Sequence, residues 1–529
     1  MQATDSELVL LVLLAGAVAL IVLAYRTRVP YPILLVIGGL GLGLAPGLPN
    51  VALAPELVLL IFLPPLLYSA AFFSSLRDLR ANVGPISLLS VGLVLVTTVT
   101  VAVVAHELVG LPWPAAFVLG AIVSPTDPVA ATTIARRLGA PRRVVTIVEG
   151  ESLINDGTAL VAYRFAVAAA VTGSFSAWQA GLEFVLSVGG GAAVGLAVGW
   201  TVAQLRRRLE DPLTEITISL ATAYFAYLPA ELLGTSGVIA AVSAGVYLGW
   251  RSPELISPGT RLQAFAVWEV VTFVLNGALF ILIGLQLPVV LDGLAGQRLG
   301  GLLLDAALVS AAVILTRFAW VYPATWLPRR LSARRRMRDP MPPLSHVFLV
   351  AWTGMRGGVA LAAALALPLE TASGAAFPAR DTIVFLAFAV ILVTLLLEGL
   401  TLPAIIRRLG LSGAEAEDWR ESEARLRAAE AALERIDELA PEDWVRDDTA
   451  ERMRGLYEYR RKRFQARFDE GDGHVEYEER SADYQRLRRE LLEAERASIV
   501  DLRQKGVIDE ETMRRVERDL DLEDTRLEA

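Results

Sequence analysis

Thr146-Ile-Val-Glu-Gly-Glu-Ser-Leu-Ile-Asn-Asp-Gly-Thr-Ala-Leu160 places Glu149, Glu151, Asn155 and Asp156 inside a segment with apolar flanks. A charge at the centre of a membrane helix costs roughly 2.5–3.5 kcal/mol on insertion scales, so an acid kept there points to function. With 3.6 residues per turn, Ser152 and Asp156 stand at i and i+4, and so do Glu151 and Asn155. Two adjacent polar stripes result, with Glu149 two turns before Asp156. A desolvated carboxyl favours its protonated form and a neighbouring alkali cation favours the ionised form, so one oxygen can hold either ion in turn. That competition is the minimum chemistry for exchanging a proton against a cation, and Asp156 is the first candidate for it.

The surroundings make this segment intramembrane. The chain has 529 residues, 54% of them hydrophobic, and a positive mean hydropathy. Soluble domains carry more charge than this one. The net charge of -8 is unevenly spread, because acids crowd the region after Arg408 while the apolar part is arginine-rich in its loops. No cysteine is present, which excludes disulfides, thiolate metal sites and cysteine nucleophiles. Asp5 and Glu7 precede the first apolar run and Arg26 and Arg28 follow it, so this run reads as a retained span, not a cleavable signal.

Runs long enough to cross a bilayer as helices number about thirteen. They cover residues 6–25, 30–48, 54–74, 84–106, 113–135, 145–171, 180–204, 213–230, 234–250, 264–287, 300–326, 344–367 and 381–405. Arginines fall in alternate loops: Arg26 and Arg28, Arg77 and Arg80, Arg136 to Arg143, Arg206 to Arg208, Arg251 and Arg261, Arg329 to Arg338, and Arg407 with Arg408. The positive-inside rule then puts the N-terminus outside and the C-terminus in the cytoplasm. The expected class is an all-α polytopic membrane protein over residues 1–410, with a helical cytoplasmic tail over 411–529. Glu and Arg in that tail are spaced to pair along helices, and Pro441 and the Gly471–Gly473 segment divide it.

Two spans are expected to break. In Ala121-Ile-Val-Ser-Pro-Thr-Asp-Pro-Val129, Pro125 and Pro128 each remove an amide donor and crowd the preceding turn around Thr126 and Asp127. In Trp352-Thr-Gly-Met-Arg-Gly-Gly358, glycines flank Arg356, which would offset nearby negative charge. The second lies seven positions after the first in the order of spans, so the two run in opposite directions, as corresponding elements of inverted repeats do. Irregular backbone at membrane depth is tolerated where protein or a water-filled cavity satisfies it, and half-helix ends there are natural ion sites.

At these residues the chain resembles the monovalent cation:proton antiporters, the electroneutral sodium/proton exchanger class, in its bacterial form. The pieces that match are Thr126-Asp127-Pro128, Gly150-Glu-Ser-Leu-Ile-Asn-Asp156 and Gly354-Met-Arg-Gly357, and the resemblance spans most of residues 6–408. It implies thirteen spans in inverted repeats with two interrupted, crossing helices. A core would comprise about 84–171 and 300–405, and a dimerisation bundle about 6–74 and 180–287. It further implies a homodimer in the plasma membrane, no cofactor, no nucleic-acid partner, and elevator-like movement of the core. By the same resemblance Asp156 binds sodium and proton alternately, with Ser152 and Thr126 beside it. Asp127 balances charge, Asn155 braces the crossing, and Glu151 pairs with Arg317 as a structural ion pair. Asn155 stands where electrogenic relatives carry a second acid, and no lysine precedes Lys462, which together imply one cation per proton. Ser69 stands where many relatives place an acid.

Other readings are a potassium/proton antiporter of the same fold, a cation channel, and an intramembrane protease. The last rests on Gly234-Thr-Ser-Gly237 with His346 as its partner, although close helix packing explains the glycines equally. The expectation is a transporter with no enzymatic step. Arg164, Glu183, Glu215, Glu231, Glu269 and Glu398 are further charges near spans that sequence alone does not sort, and His346 sits at the cytoplasmic edge of its span.

Overall fold

Where hydrocarbon offers no water to bond, a spanning chain satisfies its backbone internally, and this one does so with helices. The computed structural model describes residues 16, 18–20, 22–24, 26, 30–44, 55–173, 176–209, 211–292, 294, 298–332, 337, 339–411, 414–465, 468 and 473–528. The expected first span, 6–25, lies largely outside them, as do Arg28, Arg334 to Arg336 and Arg338. Among the described residues, extended pairing is limited to one bridge between Glu370 and Ala376. The chain forms two compact units, Met1–Ser412 and Gly413–Ala529.

The first unit contains α1 (Tyr31–Gly43), α2 (Pro55–Phe73), α3 (Leu76–Ala81), α4 (Val83–Glu107), α5 (Trp113–Val123), α6 (Pro128–Arg137), α7 (Arg142–Thr172) and α8 (Ala177–Arg206). It continues with α9 (Pro212–Leu232), α10 (Gly237–Leu255), α11 (Pro258–Leu285), α12 (Leu287–Asp292), α13 (Leu299–Leu331), α14 (Leu344–Trp352), α15 (Gly358–Leu365) and α16 (Arg380–Arg408). Among the described residues, six stretches are long and apolar enough to cross a membrane: α4, α5 with α6, α8, α11, α13 and α16. Helix α7, with its acids and Arg164, is not among them.

Local chemistry fixes the helix starts. Pro128, Pro212 and Pro258 occupy first positions, where a missing N–H costs nothing, and the preceding Asp127, Asp211 and Ser257 accept from Val129, Thr214 and Thr260 amides. Small residues let backbones touch. Gly191 and Gly195 of α8 lie against the Ser236 and Ala240 carbonyls of α10, where a β-carbon would come within 2.4 and 2.2 Å. Ser236 itself caps α10, its Oγ accepting from the Ile239 amide. Helix α4 widens to a π-turn over Leu88–Leu93, and the indole of Trp320 on α13 donates to the Leu88 carbonyl at 2.9 Å.

The two breaks position everything that follows. Helix α5 stops at Val123 and α6 begins at Pro128; α14 stops at Trp352 and α15 begins at Gly358. The non-helical stretches bond to each other, the Asp127 amide donating to the Met355 carbonyl at 2.8 Å.

The second unit consists of α17 (Ala414–Leu439), α18 (Asp447–Gln465), α19 (Gly473–Gln504) and α20 (Glu510–Glu528). Pro441 falls between α17 and α18. Within α17, Arg425 and Arg427 pair with Glu421 and Glu423 one turn earlier, and Arg454 of α18 reaches Asp437 at 2.6 Å. Leu492 of α19 and Met513 and Leu520 of α20 are buried.

Candidate functional site

Helix α7 carries the polar segment past both breaks, and its two stripes meet different surroundings. Glu151 and Asn155 face the first break. The Thr126 hydroxyl donates to Glu151 Oε1 at 3.0 Å, and Asn155 Nδ2 donates to the Thr126 carbonyl at 3.2 Å and to its Oγ1 at 2.9 Å. Arg317 of α13 grips Glu151 with both ends of its fork, Nη1 to Oε1 at 2.5 Å and Nη2 to Oε2 at 2.9 Å, and both side chains are 1% exposed. Its Nε and Nη2 also donate to the Val350 carbonyl near the end of α14, at 3.1 and 2.9 Å. A pair so buried needs this full set of bonds to offset the loss of water.

The second break is held by an acid the sequence left unsorted. Glu398 of α16, 2% exposed, accepts from the Gly354 amide at 2.9 Å, and the Arg356 amide donates to Thr394 Oγ1 at 3.1 Å. The Arg356 guanidinium is fully buried and donates to the Ser124 carbonyl, so it ties the second break to the first. Gly357 is required by close approach: a β-carbon there would lie 1.9 Å from Asp127 Oδ2.

The other stripe opens on a cavity of about 680 Å³, lined by Asp156, Ser152, Thr126 and Asp127. Its walls also include Arg136 and Glu149, paired at 2.6 Å, and, from α2 and α11, Ser69, Asn276 and Glu269. Ser69 donates its hydroxyl to the Leu66 carbonyl at 3.0 Å. Asp156 also lines a small apolar pocket of about 10 Å³, among Ala121, Tyr163, Val359 and Ala363. Of the residues singled out from sequence, Asp156, Ser152, Thr126 and Asp127 thus share a water-accessible space. Asn155, Glu151, Arg317 and Arg356 lie behind it in the packed crossing. Hard oxygens around an open cavity suit an alkali cation or a proton.

Other charges find local partners. Arg164 pairs with Glu231 at 2.5 Å, and Glu231 also accepts from the Gly237 amide at 3.0 Å. Thr260 Oγ1 donates to Glu215 at 3.5 Å. His346 lines a second cavity, apart from Asp156.

The family model described as "Sodium/hydrogen exchanger, transmembrane" matches residues 9–408. An uncharacterized Na(+)/H(+) exchanger of Mycobacterium tuberculosis is 39% identical over 98% of this chain and 96% of its own length. A "sodium, potassium, lithium and rubidium/H(+) antiporter" of Bacillus pumilus is 33% identical over 82% of this chain and 66% of its own. Among solved structures, the sodium proton antiporter MjNhaP1 of Methanocaldococcus jannaschii at pH 8 matches with a TM-score of 0.61 at 20% identity, covering 77% of this chain and 98% of that one.

Proposed function

The chain belongs to the sodium/hydrogen exchanger family, and from that premise we propose that its exchange of a monovalent cation for a proton runs through Asp156. The protein is membrane-embedded and all-helical, and its family is one of transporters. The observation that carries the assignment is that Asp156, a buried carboxyl, lines the cavity of about 680 Å³ together with Ser152, Thr126 and Asp127. A carrier alternates access to one site, so it needs an ion-binding carboxylate open to one side at a time.

Ser152, Thr126 and Asp127 line the same space and complete an oxygen-rich site for sodium. Glu151 with Arg317, Asn155 and Arg356 hold the crossing in shape. The neutral Asn155 and the absence of lysine before Lys462 support electroneutral exchange, one cation per proton. Crossed breaks in α5–α6 and α14–α15 support thirteen spans built as inverted repeats. In that arrangement helices from 84–171 and 300–405 move as a core against a dimerisation bundle from 6–74 and 180–287, in a homodimer. Arg136, in the last turn of α6, lies on the cavity wall. With that end of α6 cytoplasmic, the C-terminus inside the cell and the N-terminus outside, this form of the carrier faces the cytoplasm of a plasma membrane.

Potassium is the second cation to test, because a relative is named for sodium, potassium, lithium and rubidium. A channel requires a continuous path past Asp156. Proteoliposomes driven in turn by sodium, lithium and potassium at several pH values, with and without an imposed potential, test the reading. Proton movement coupled to a cation gradient and indifferent to potential is expected. Cation flux that persists without counter-movement of protons overturns it.

A further inference from the structure

A second cavity, of about 280 Å³, lies between α4, α7, α13 and α14. Its interior is apolar, with Leu89, Ile147, Val321, Ala324 and Val347 on the walls, and its polar lining is Arg143, Arg329, Asp339 and His346. Arg143 donates to Asn82 Oδ1 at 3.0 Å and to Asp339 Oδ1 at 2.5 Å, while Arg329 holds the other Asp339 oxygen and the Thr325 carbonyl. One carboxylate is shared by two guanidinia, so this group carries excess positive charge.

The depth of this end follows from its surface. Trp326 is half-exposed, with the Arg330 guanidinium 4.3 Å above its ring, the pairing expected at the headgroup level of a bilayer. Val83, Leu331 and Leu344, at the ends of α4, α13 and α14, and Met341 just before α14 are exposed apolar side chains. A cationic mouth at headgroup depth, leading to an apolar interior, has the polarity of a single-chain anionic lipid. Carboxylate is the head that a guanidinium fork receives best without the bulk of a second chain.

We propose that the cavity bounded by Arg143, Arg329, Ala324 and Val347 binds a free fatty acid from the adjoining leaflet, its carboxylate at Arg143 and its chain among the apolar walls. The site does not depend on which ion is carried or on the role of Asp156. It touches the transport machinery at one point: Val350, on its wall, presents the carbonyl that accepts from Arg317, and Arg317 holds Glu151. A chain lodged against Val347 and Val350 therefore stiffens the support of α7, and it shares the π-turn at Leu88–Leu93 as a second wall.

The test uses the full chain in nanodiscs of zwitterionic lipid and dodecanoate bearing a photoreactive diazirine near the end of its chain. Labelling is expected on peptides containing Ile147, Val321–Ala324 and Val347, with competition by unlabelled dodecanoate and none by dodecyltrimethylammonium. Arg143→Gln weakens half-maximal labelling about tenfold, the loss expected for a charge-assisted bond. Val347→Phe, which leaves the ionic mouth intact, removes labelling from those peptides at unchanged melting temperature. Labelling confined to the exterior at Leu331 and Leu344, equal competition by the cationic amphiphile, or stronger competition by lauroyl-lysophosphatidylglycerol than by dodecanoate overturns the proposal. The sites labelled on the unsubstituted chain decide between these outcomes even where a variant does not fold.

Discussion

Two faces of one turn of α7 each present an acid, and the two acids have opposite surroundings. On one face of α7, Glu151 and Asn155 are sealed against the first break and answered by Thr126 and by Arg317. On the other, one residue on from each, Ser152 and Asp156 look into a cavity of about 680 Å³. An acid completely bonded by fixed partners has nothing left to offer an ion. An acid at the end of a wet cavity can exchange partners. Occupation of a membrane helix by a carboxylate therefore identifies neither role; the partners decide.

The sharpest way to break this contrast is Asp156→Asn. Exchange in proteoliposomes falls to the level of empty vesicles while the protein stays folded and inserted; sodium-dependent collapse of a pH gradient by the mutant refutes the division of labour. Glu151→Gln should act through the fold, because removing one partner of a buried pair costs about 3–5 kcal/mol. Its thermal melting in detergent drops steeply, and a double variant with Arg317→Met recovers much of the loss. Equal loss in single and double variants argues for a direct transport role of Glu151.

Gly357→Ala tests the crossing from the second break. With a β-carbon 1.9 Å from Asp127 Oδ2, the half-helices must separate, at an overpacking cost of about 1–3 kcal/mol. Transport rate falls more than melting temperature does, since both walls of the site shift. Glu269→Gln concerns the mouth. Its charge on α11 concentrates cations before they reach Asp156, so apparent KM for sodium rises about two- to fivefold at low salt, from the cavity side only, with maximal rate unchanged. An equal rise from both sides contradicts this account of the cavity.

The smallest effect lies in the second unit. Asp509 accepts from the Thr512 amide at 2.6 Å at the start of α20, and that bond holds its carboxyl below the usual range. A lowered folded value means the stabilisation is present above the ordinary aspartate range and is lost as pH falls through the folded value. Helicity of the tail decreases slightly at low pH, and Asp509→Ala removes that dependence without changing exchange at neutral pH.

Much of this was legible in the chain because its strongest signals are local. Pro125, Pro128, Gly354 and Gly357 change what the backbone can do at their own positions, and helix stops at Val123 and at Trp352. The i, i+4 spacing was enough to separate the two stripes of α7, and Arg317 stood out as a lone base in an apolar run. What sequence did not reveal depends on contacts between distant segments. Glu398 was visible as an acid in the last apolar run, but its bond to the Gly354 amide comes from the meeting of α16 with the second break. Arg356 was expected among negative charges; its Nη1 donates to the Ser124 carbonyl, a backbone acceptor that composition does not advertise, while its Nε and Nη2 are buried without a hydrogen-bond partner among the described residues. Arg164 and Glu231 likewise sort themselves only when α7 and α9 come together.

The width of the cavity has a consequence for how an ion is chosen. At about 30 Å³ per molecule, 680 Å³ holds on the order of twenty waters. On the proposed role of Asp156, a cation then enters this cavity with much of its hydration shell in place. Discrimination between sodium, lithium and potassium is then concentrated in the final step, where a few oxygens must replace the last waters. The relative ease of dehydrating each ion sets the ranking, and substitutions in the outer walls should alter how fast ions arrive without altering which ion is preferred.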